Sequence, residues 1–105
     1  MTIVYRVDKF GVPDEVRDEF WTNVRRTHAV LREQSGFLDD ALLEKQSGPG
    51  RLNVVTMVRW SSADAMEPAK AAVERAYRAT GFDPAAFLAR AGIDADLANY
   101  VEVEH

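Results

Sequence analysis

Three side chains in this sequence are of types that can take part in chemistry at one site: His28, Thr56 and Trp60. Thr56 and Trp60 share one face of a predicted strand, because side chains two and four residues apart point the same way. A large aromatic residue at the end of a strand either closes a core or forms the wall of a pocket. Histidine is the side-chain type whose ordinary pKa is nearest neutrality, so His28 is a candidate general base. Each of the three also has a structural explanation: core packing for Trp60, a satisfied hydroxyl for Thr56 and an edge hydrogen bond for His28.

Five further residues are candidates for contacting a ligand. Tyr5 and Tyr77 lie on faces that can reach the same cavity, although packing explains them equally well. Arg6 is expected to bind an anionic substrate or to pair with a carboxylate on a neighbouring strand. Trp21 lies on the flank of a predicted helix and is expected at a pocket rim, in the core or on a dimer surface. Phe87 belongs to a short helix that is expected either to cover the pocket or to extend a dimer interface.

The composition limits the classes of function. A chain of 105 residues is expected to form one domain. The absence of Cys excludes a thiolate nucleophile, a disulfide and a cysteine metal site, and two His residues do not suit a His-rich metal site. The net charge of −4 argues against a nucleic-acid binder. With no long apolar segment and no signal-peptide pattern, a cytoplasmic protein is expected.

The residues from 52 to 60 form the most clearly indicated strand. They are rich in β-branched and apolar types and contain no Gly or Pro. The face that carries Thr56 and Trp60 is nearly all apolar, whereas the other face is apolar only in its middle, at Val55 and Met57. This pattern predicts a central strand.

The remaining elements follow from periodicity and turn residues. A buried stripe at spacings of three and four, formed by Val16, Phe20, Val24, Thr27 and Leu31, predicts the first helix. A Gly- and Pro-containing turn joins the second and third strands as a hairpin. Ser61 or Ser62 is expected to cap the turn before the second main helix, and Asp83 and Pro84 to begin the short helix. The predicted strands are 2–8, 37–45, 52–60 and 98–104, and the predicted helices are 14–34, 68–80 and 84–91.

This order, β-α-β-β-α-β, predicts an α+β fold of the ferredoxin-like class, with an antiparallel four-stranded sheet and both main helices on one face. The other face would expose Val55, Met57, Leu38 and Leu42. An uncovered apolar sheet face is unusual for a monomer. A homodimer packed sheet to sheet is therefore expected.

Two motifs resemble those of the antibiotic biosynthesis monooxygenase family of dimeric α+β barrels. Residues 27–38, Thr-His-Ala-Val-Leu-Arg-Glu-Gln-Ser-Gly-Phe-Leu, are similar to the family's helix-one His followed by Glu and Gly before the second strand. Residues 58–65, Val-Arg-Trp-Ser-Ser-Ala-Asp-Ala, are similar to its Trp at the end of the third strand, with a Ser and a helix start after it.

The resemblance implies a dry cavity between sheet and helices in which an aromatic phenol or quinol is held, deprotonated and oxidised by dioxygen, often without metal or flavin. In one branch an Asn lies four residues before the strand-three Trp, and Thr56 stands at that position here. A haem-degrading branch uses a strand-one Asn and a helix-two His. This chain has Arg6 and Val7 near the first position and Lys70 near the second, so haem degradation is not expected.

The leading hypothesis is a cofactor-independent monooxygenase for a small aromatic or quinol-like substrate. Its pocket would lie between the two main helices and the sheet, with Trp60 as a wall and Thr56 and His28 orienting or deprotonating a hydroxyl. The alternative is a non-catalytic dimeric module that binds a small hydrophobic ligand or acts in a stress response. Convergent polar groups in the pocket would favour the enzyme, and an entirely apolar or collapsed cavity would favour the module. An RNA-binding domain of the same element order lacks support, because strand three has no basic-Gly-aromatic pattern.

Overall fold

A four-stranded antiparallel sheet, in the order β2-β3-β1-β4, carries the helices of this chain. The computed structural model describes residues 2–105. Short 3-10 turns precede α1 and α2. The predicted ferredoxin-like fold is confirmed, and the dimeric barrel stays a prediction. The elements are β1 (Val4–Gly11), α1 (Arg17–Arg32), β2 (Phe37–Glu44), β3 (Val54–Trp60), α2 (Met66–Thr80), α3 (Pro84–Ala91) and β4 (Asp94–Tyr100).

Strand β3 is central, as its composition predicts, and pairs with β1 on one side and β2 on the other. Its side chains alternate strictly between buried and half-buried. The buried side faces the helices, and the pairing of β3 sets which residues of β1 and β2 share that side. The buried row consists of Val54, Thr56, Val58 and Trp60.

The apolar core divides into two clusters along this row. Around Val54, one cluster gathers residues of β1, α1 and α3, with Phe20 edge-on against Phe10 at 5.0 Å between ring centroids. The other cluster surrounds Trp60 and Val58 at the opposite end of β3. Thr56 lies between them in sequence. It and His28 are the buried polar residues among those the structure describes.

Helix α1 also buries Trp21 and His28, which lie on the flank of the predicted stripe. Phe20, Trp21 and His28 are its buried residues, while the rest of the predicted stripe is only half-buried. The reason lies in β2. Glu44 accepts a hydrogen bond from the Trp21 indole and Asp40 pairs with the His28 ring, and these contacts turn the flank toward the sheet.

Helix α2 begins at Met66, two residues before the predicted start. Pro68 fits inside the first turn, since the N–H groups there have no intrahelical acceptor to lose. The predicted serine cap is not formed at Ser62, which makes no side-chain cap hydrogen bond. Ala69 and Ala72 are buried, and their small side chains allow the helix to lie close to the sheet.

The short helix α3 has the predicted boundaries and cap. Asp83 accepts a hydrogen bond from the backbone N–H of Ala86 at 3.1 Å, Pro84 takes the first position, and Gly92 ends the helix in the left-handed conformation. Ile93 then enters the core, and the chain passes directly into β4.

Three strand predictions are wrong, and the first of these strands runs from Val4 to Gly11 rather than over residues 2–8. The last strand is Asp94–Tyr100, four residues earlier than predicted, because β1 extends to Gly11 and pairs with the polar residues that follow α3. In β2, the register shifts between Phe37 and Asp39, so that two residues of β2 lie opposite one residue of β3, as in a β-bulge. The residues of β2 after the shift therefore point to the opposite side of the sheet from the one predicted. Leu42 therefore packs against the core rather than on the open side.

The helix-free side of the sheet carries Val55 and Met57, as predicted. Because of the bulge, Leu43 joins them and is 52% exposed. Leu38, which lies at the bulge itself, is also exposed. Within residues 2–105, no helix has the length and apolar character needed to cross a membrane.

Replacement of Gly36 by Ala is expected to destabilise the fold at the corner between α1 and β2. Gly36 has φ +87°, and a Cβ there would lie 2.5 Å from the Cβ of Ala65. The left-handed conformation costs about 1–2 kcal/mol for a residue with a Cβ. The clash adds about 1–3 kcal/mol, as for an overpacked core. Urea unfolding would measure the loss.

Gly81→Ala is the matched control, because Gly81 has φ +71° and open space around its missing Cβ. It should show only the conformational cost. Equal losses in the two variants would contradict the packing argument at Gly36.

Candidate active site

A cavity of about 1010 Å³ lies between the helix-facing side of the sheet and the two main helices. This is near the upper end of the volumes that small-molecule sites usually have. The sheet supplies the floor, the helices supply two walls, and the segment leading into α3 supplies one end. Its lining includes the side chains of Arg6, Asp8, Thr27, His28, Thr56, Trp60 and Tyr77.

His28 is held in the cavity wall by a carboxylate. Its Nδ1 lies 2.9 Å from Oδ2 of Asp40, and both side chains are largely buried. The same oxygen accepts a hydrogen bond from Nε of Arg32 at 3.1 Å. An ionised carboxylate can only accept, so neutral His28 carries its proton on Nδ1. No side-chain nitrogen within residues 2–105 is both fully buried and unpaired, so the unprotonated Nε2 is accessible from the cavity that His28 lines.

Thr56 lies on the cavity floor, opposite Asp8 of β1 and Leu42 of β2. Its hydroxyl has no hydrogen-bond partner within residues 2–105. No side-chain oxygen in that range is both fully buried and unpaired, so this hydroxyl is in contact with the cavity. It is free to donate to a bound molecule.

Trp60 contributes both to the core and to the lining of the cavity. Its ring packs edge-on against Phe37, with centroids 5.9 Å apart and planes at 86°, and it belongs to the cluster that contains Val58 and Ala69. It also lines the cavity. The same residue therefore closes one end of the core and forms an aromatic wall.

Tyr77 projects from α2 and lines the cavity, where its hydroxyl is hydrogen-bonded to Thr27. Its hydroxyl lies 2.7 Å from Oγ1 of Thr27, which in turn donates to the backbone carbonyl of Asn23 at 3.1 Å. Thr27 has one hydroxyl proton and gives it to the carbonyl, so Tyr77 is the donor to Thr27. Burial raises the pKa of Tyr77, and the Thr27 hydrogen bond partly offsets that rise. Tyr77 therefore remains neutral at pH 7.

Arg6 lies on the cavity floor but is already paired. Its Nε donates to Oδ1 of Asp8 at 2.6 Å, along the same strand rather than across to a neighbouring one. Burial raises the pKa of Asp8, and Arg6 offsets part of that rise. Pairing on the same strand leaves Arg6 less suited to binding an anionic substrate.

The structure places three predicted contact residues outside this cavity. Tyr5 points to the helix-free side, since neighbours on a strand face opposite ways, and there it hydrogen-bonds Glu102. Trp21 is buried, with its indole N–H 3.0 Å from Glu44 in a separate cleft. Phe87 belongs to the Val54 cluster and lines a smaller space next to the main cavity.

Sequence reasoning missed two carboxylates, Asp8 and Asp40. Asp8 lies on the same face of its strand as Arg6, because alternate residues point the same way. A charged pair on a face that otherwise points inward was the feature of the sequence that could have indicated Asp8. Asp40 becomes visible as a partner of His28 only when the β2 register is known. No group of three His, Cys, Asp or Glu side chains placed to hold a metal ion occurs in the described part of the chain.

Neutral His28 should be found as the Nδ1–H tautomer, because its Nδ1 faces the Asp40 carboxylate. Nitrogen-15 NMR of labelled protein distinguishes the two ring nitrogens. In Asp40→Ala this preference should disappear, while the ring signals of the exposed His105 stay unchanged. A wild-type His28 protonated on Nε2 would contradict the arrangement.

Stability should depend on pH through Glu44, whose pKa is lowered first by hydrogen bonds from Arg17 and then by the Trp21 indole. A group whose pKa is lower in the folded state stabilises the fold at pH values above its ordinary pKa, which for Glu44 is about 4.5. This stabilisation is lost as the pH falls through the lower folded-state pKa. Wild type should therefore exceed Glu44→Gln in stability at pH 7, and the gap should close in acid. Urea unfolding across pH would measure it.

The control for this series is Glu104→Gln, in the exposed C-terminal segment. It should match wild type at every pH. A gap for Glu44→Gln that stays constant down to acid pH would contradict the assigned ion pair.

Comparison with known proteins agrees with the fold. The sequence model of antibiotic biosynthesis monooxygenases matches residues 3–76, which run from β1 into α2. No curated protein matches by sequence. SnoaB, a cofactor-independent oxygenase from Streptomyces nogalater, superposes in its variant form with a TM-score of 0.70 at 25% identity, over 100% of this chain and 97% of that one.

Two further solved structures share the fold at lower identity. A candidate monooxygenase from Shewanella loihica PV-4 gives a TM-score of 0.74 at 15% identity, over 99% of this chain and 97% of that one. A variant of MhuD with two manganese protoporphyrin IX molecules bound per active site gives 0.71 at 16% identity, over 97% and 96% of the two chains.

Proposed function

The chain belongs to the antibiotic biosynthesis monooxygenase family, and we propose that it is a cofactor-independent monooxygenase of a small aromatic or quinol-like substrate. The observation that carries the proposal is His28, buried at the cavity wall with Nδ1 bound to Asp40 and Nε2 left to face a substrate. The likeness to SnoaB, itself a cofactor-independent oxygenase, supports the same reaction class.

His28 acts as the general base. Its Nε2 removes the proton from an aromatic hydroxyl, and Asp40 stabilises the imidazolium that forms. Thr56 donates a hydrogen bond to the same oxygen and holds the phenolate while Trp60 limits the position of the ring.

The electron-rich phenolate then reduces dioxygen. For an anthrone-type substrate, one electron passes to dioxygen and the two radicals combine at the activated ring carbon to give a peroxide anion. The proton taken by His28 returns to that anion. Loss of water leaves a carbonyl, so a CH2 group and O2 become C=O and H2O. The substrate supplies all four electrons, and one oxygen atom stays on the product.

The polar lining argues against the alternative of a non-catalytic module that binds a hydrophobic ligand. His28, Thr56, Asp8 and Tyr77 all converge on the cavity, whereas a simple hydrophobic binder needs none of them. A base with an orienting carboxylate is the arrangement typical of acid-base catalysis.

We also propose that two copies associate through the helix-free side of the sheet. Val55, Met57 and Leu43 give this side an apolar centre. Arg59 and Asp39 form a bidentate ion pair on it, with both hydrogen bonds at 2.8 Å. Family members are typically dimeric, which supports the association of two copies.

Oxygen uptake over a panel of anthrones, naphthols and quinols tests the proposed function. Wild-type protein should exceed the uncatalysed rate. His28→Ala should lower kcat by about 10²–10⁴-fold, the usual contribution of a general base. Thr56→Ala and Trp60→Phe should cause smaller losses, since each removes positioning rather than the base.

His105→Ala is the control, because it removes the chain's other imidazole from an exposed terminus. It should keep the wild-type rate. A His28→Ala variant as active as wild type would remove His28 from the mechanism. Binding of the panel without any oxygen uptake would favour the ligand-binding module.

A further inference from the structure

Asp8 presents one free carboxylate oxygen to the cavity. Its Oδ1 accepts from Arg6, while Oδ2 has no partner within the described residues. Since no side-chain oxygen among them is both fully buried and unpaired, Oδ2 is accessible from the cavity that Asp8 lines. The side chain is 22% exposed, so this opening is small.

The surroundings of Asp8 make that oxygen a strong hydrogen-bond acceptor. The charged and titratable groups that face or act on it are Arg6 from β1, His28 from α1 and Asp96 from β4, with Tyr77 of α2 in the same lining. Burial raises the pKa of Asp8 by more than Arg6 and His28 lower it, which means a higher affinity for a proton or a proton donor. Arg6 fixes the orientation of the carboxylate at the same time.

We propose that Asp8 is a second anchor for the substrate and that the substrate therefore bears two hydroxyls. One hydroxyl gives its proton to Nε2 of His28, and the other donates a hydrogen bond to Oδ2 of Asp8. This inference rests on the proposed function, because the first of the two contacts is the catalytic one.

The geometry favours a dihydroxy compound over its alternatives. Asp8 lies directly opposite Thr56 on the floor, so a ring held against Trp60 meets polar groups from two strands and from α1. A methoxy or keto group in place of the second hydroxyl would leave the carboxylate oxygen without a donor from the substrate, and a site that hydrogen-bonds a hydroxyl rejects the analogue that lacks it. An anionic substituent would be repelled by Asp8, and Arg6 is already paired with Asp8.

Calorimetric binding of redox-stable probes tests the anchor apart from the chemistry. The probes are dihydroxyanthraquinone isomers, each paired with its monomethyl ether. At least one isomer should bind wild type about tenfold to a hundredfold more tightly than its ether, the range for a hydrogen bond to a charged group. In Asp8→Asn, this ratio should fall to about threefold or less, while affinity for the ether is retained.

Asp18→Asn is the matched control. It removes the same charge from a side chain on α1 that is 99% exposed, lies outside the cavity lining and is not among the groups that act on Asp8. Its diol-to-ether ratio should equal that of wild type. The wild-type ratio is informative by itself, so the test does not depend on the folding of Asp8→Asn.

Absence of any diol preference in wild type, including absence of binding, would overturn the proposal. So would a preference that survives in Asp8→Asn. Oxygen uptake with the corresponding anthrones separates the two hypotheses. A diol preference without uptake leaves the anchor standing and removes the oxygenase. Equal uptake of the diol and ether substrates leaves the oxygenase standing and removes the anchor.

Discussion

Burial of one face of β3 is the constraint on which the rest of this structure depends. A central strand must place alternate side chains under the helices, and three of the four in this row are apolar. The fourth, Thr56, interrupts the apolar surface at its middle. The core therefore forms two clusters, one at each end of the strand. The space between them cannot be filled by apolar contacts alone, and the cavity lies there.

The polar groups that surround this space follow the rule that a buried polar atom needs a partner. His28 is paired with Asp40, Arg6 with Asp8, and Tyr77 with Thr27. Each pair uses one hydrogen-bonding position of the group that faces the cavity and leaves another open. Structural satisfaction and chemical availability are therefore compatible. The pairs hold the side chains in place, and their remaining lone pairs and protons are presented to a ligand.

The parts of this arrangement that depend on local sequence could be predicted. Strand β3 follows from its period of two, and α3 follows from an Asp cap, a first-turn Pro and a terminal Gly. Strand β4 could not, because an edge strand with exposed polar residues has no hydrophobic alternation to detect. The His28–Asp40 pair joins a helix to a strand through a register that depends on the bulge after Phe37. A slip of one residue in that register would turn Asp40 away from His28, and nothing local indicates it.

Thr56 shows why positioning in this cavity has to involve more than β3. A threonine hydroxyl is held close to the backbone, so it reaches only a short distance above the floor. A substrate held by Thr56 alone would be free to tilt about that contact. His28 lies on α1 and Asp8 lies on β1, so these two contacts come from elements other than β3. Three contacts from three elements define the orientation of a ring, whereas one contact does not. Under the proposed function, the sheet register that pairs Thr56 with Asp8 would thus also set how a substrate lies against Trp60.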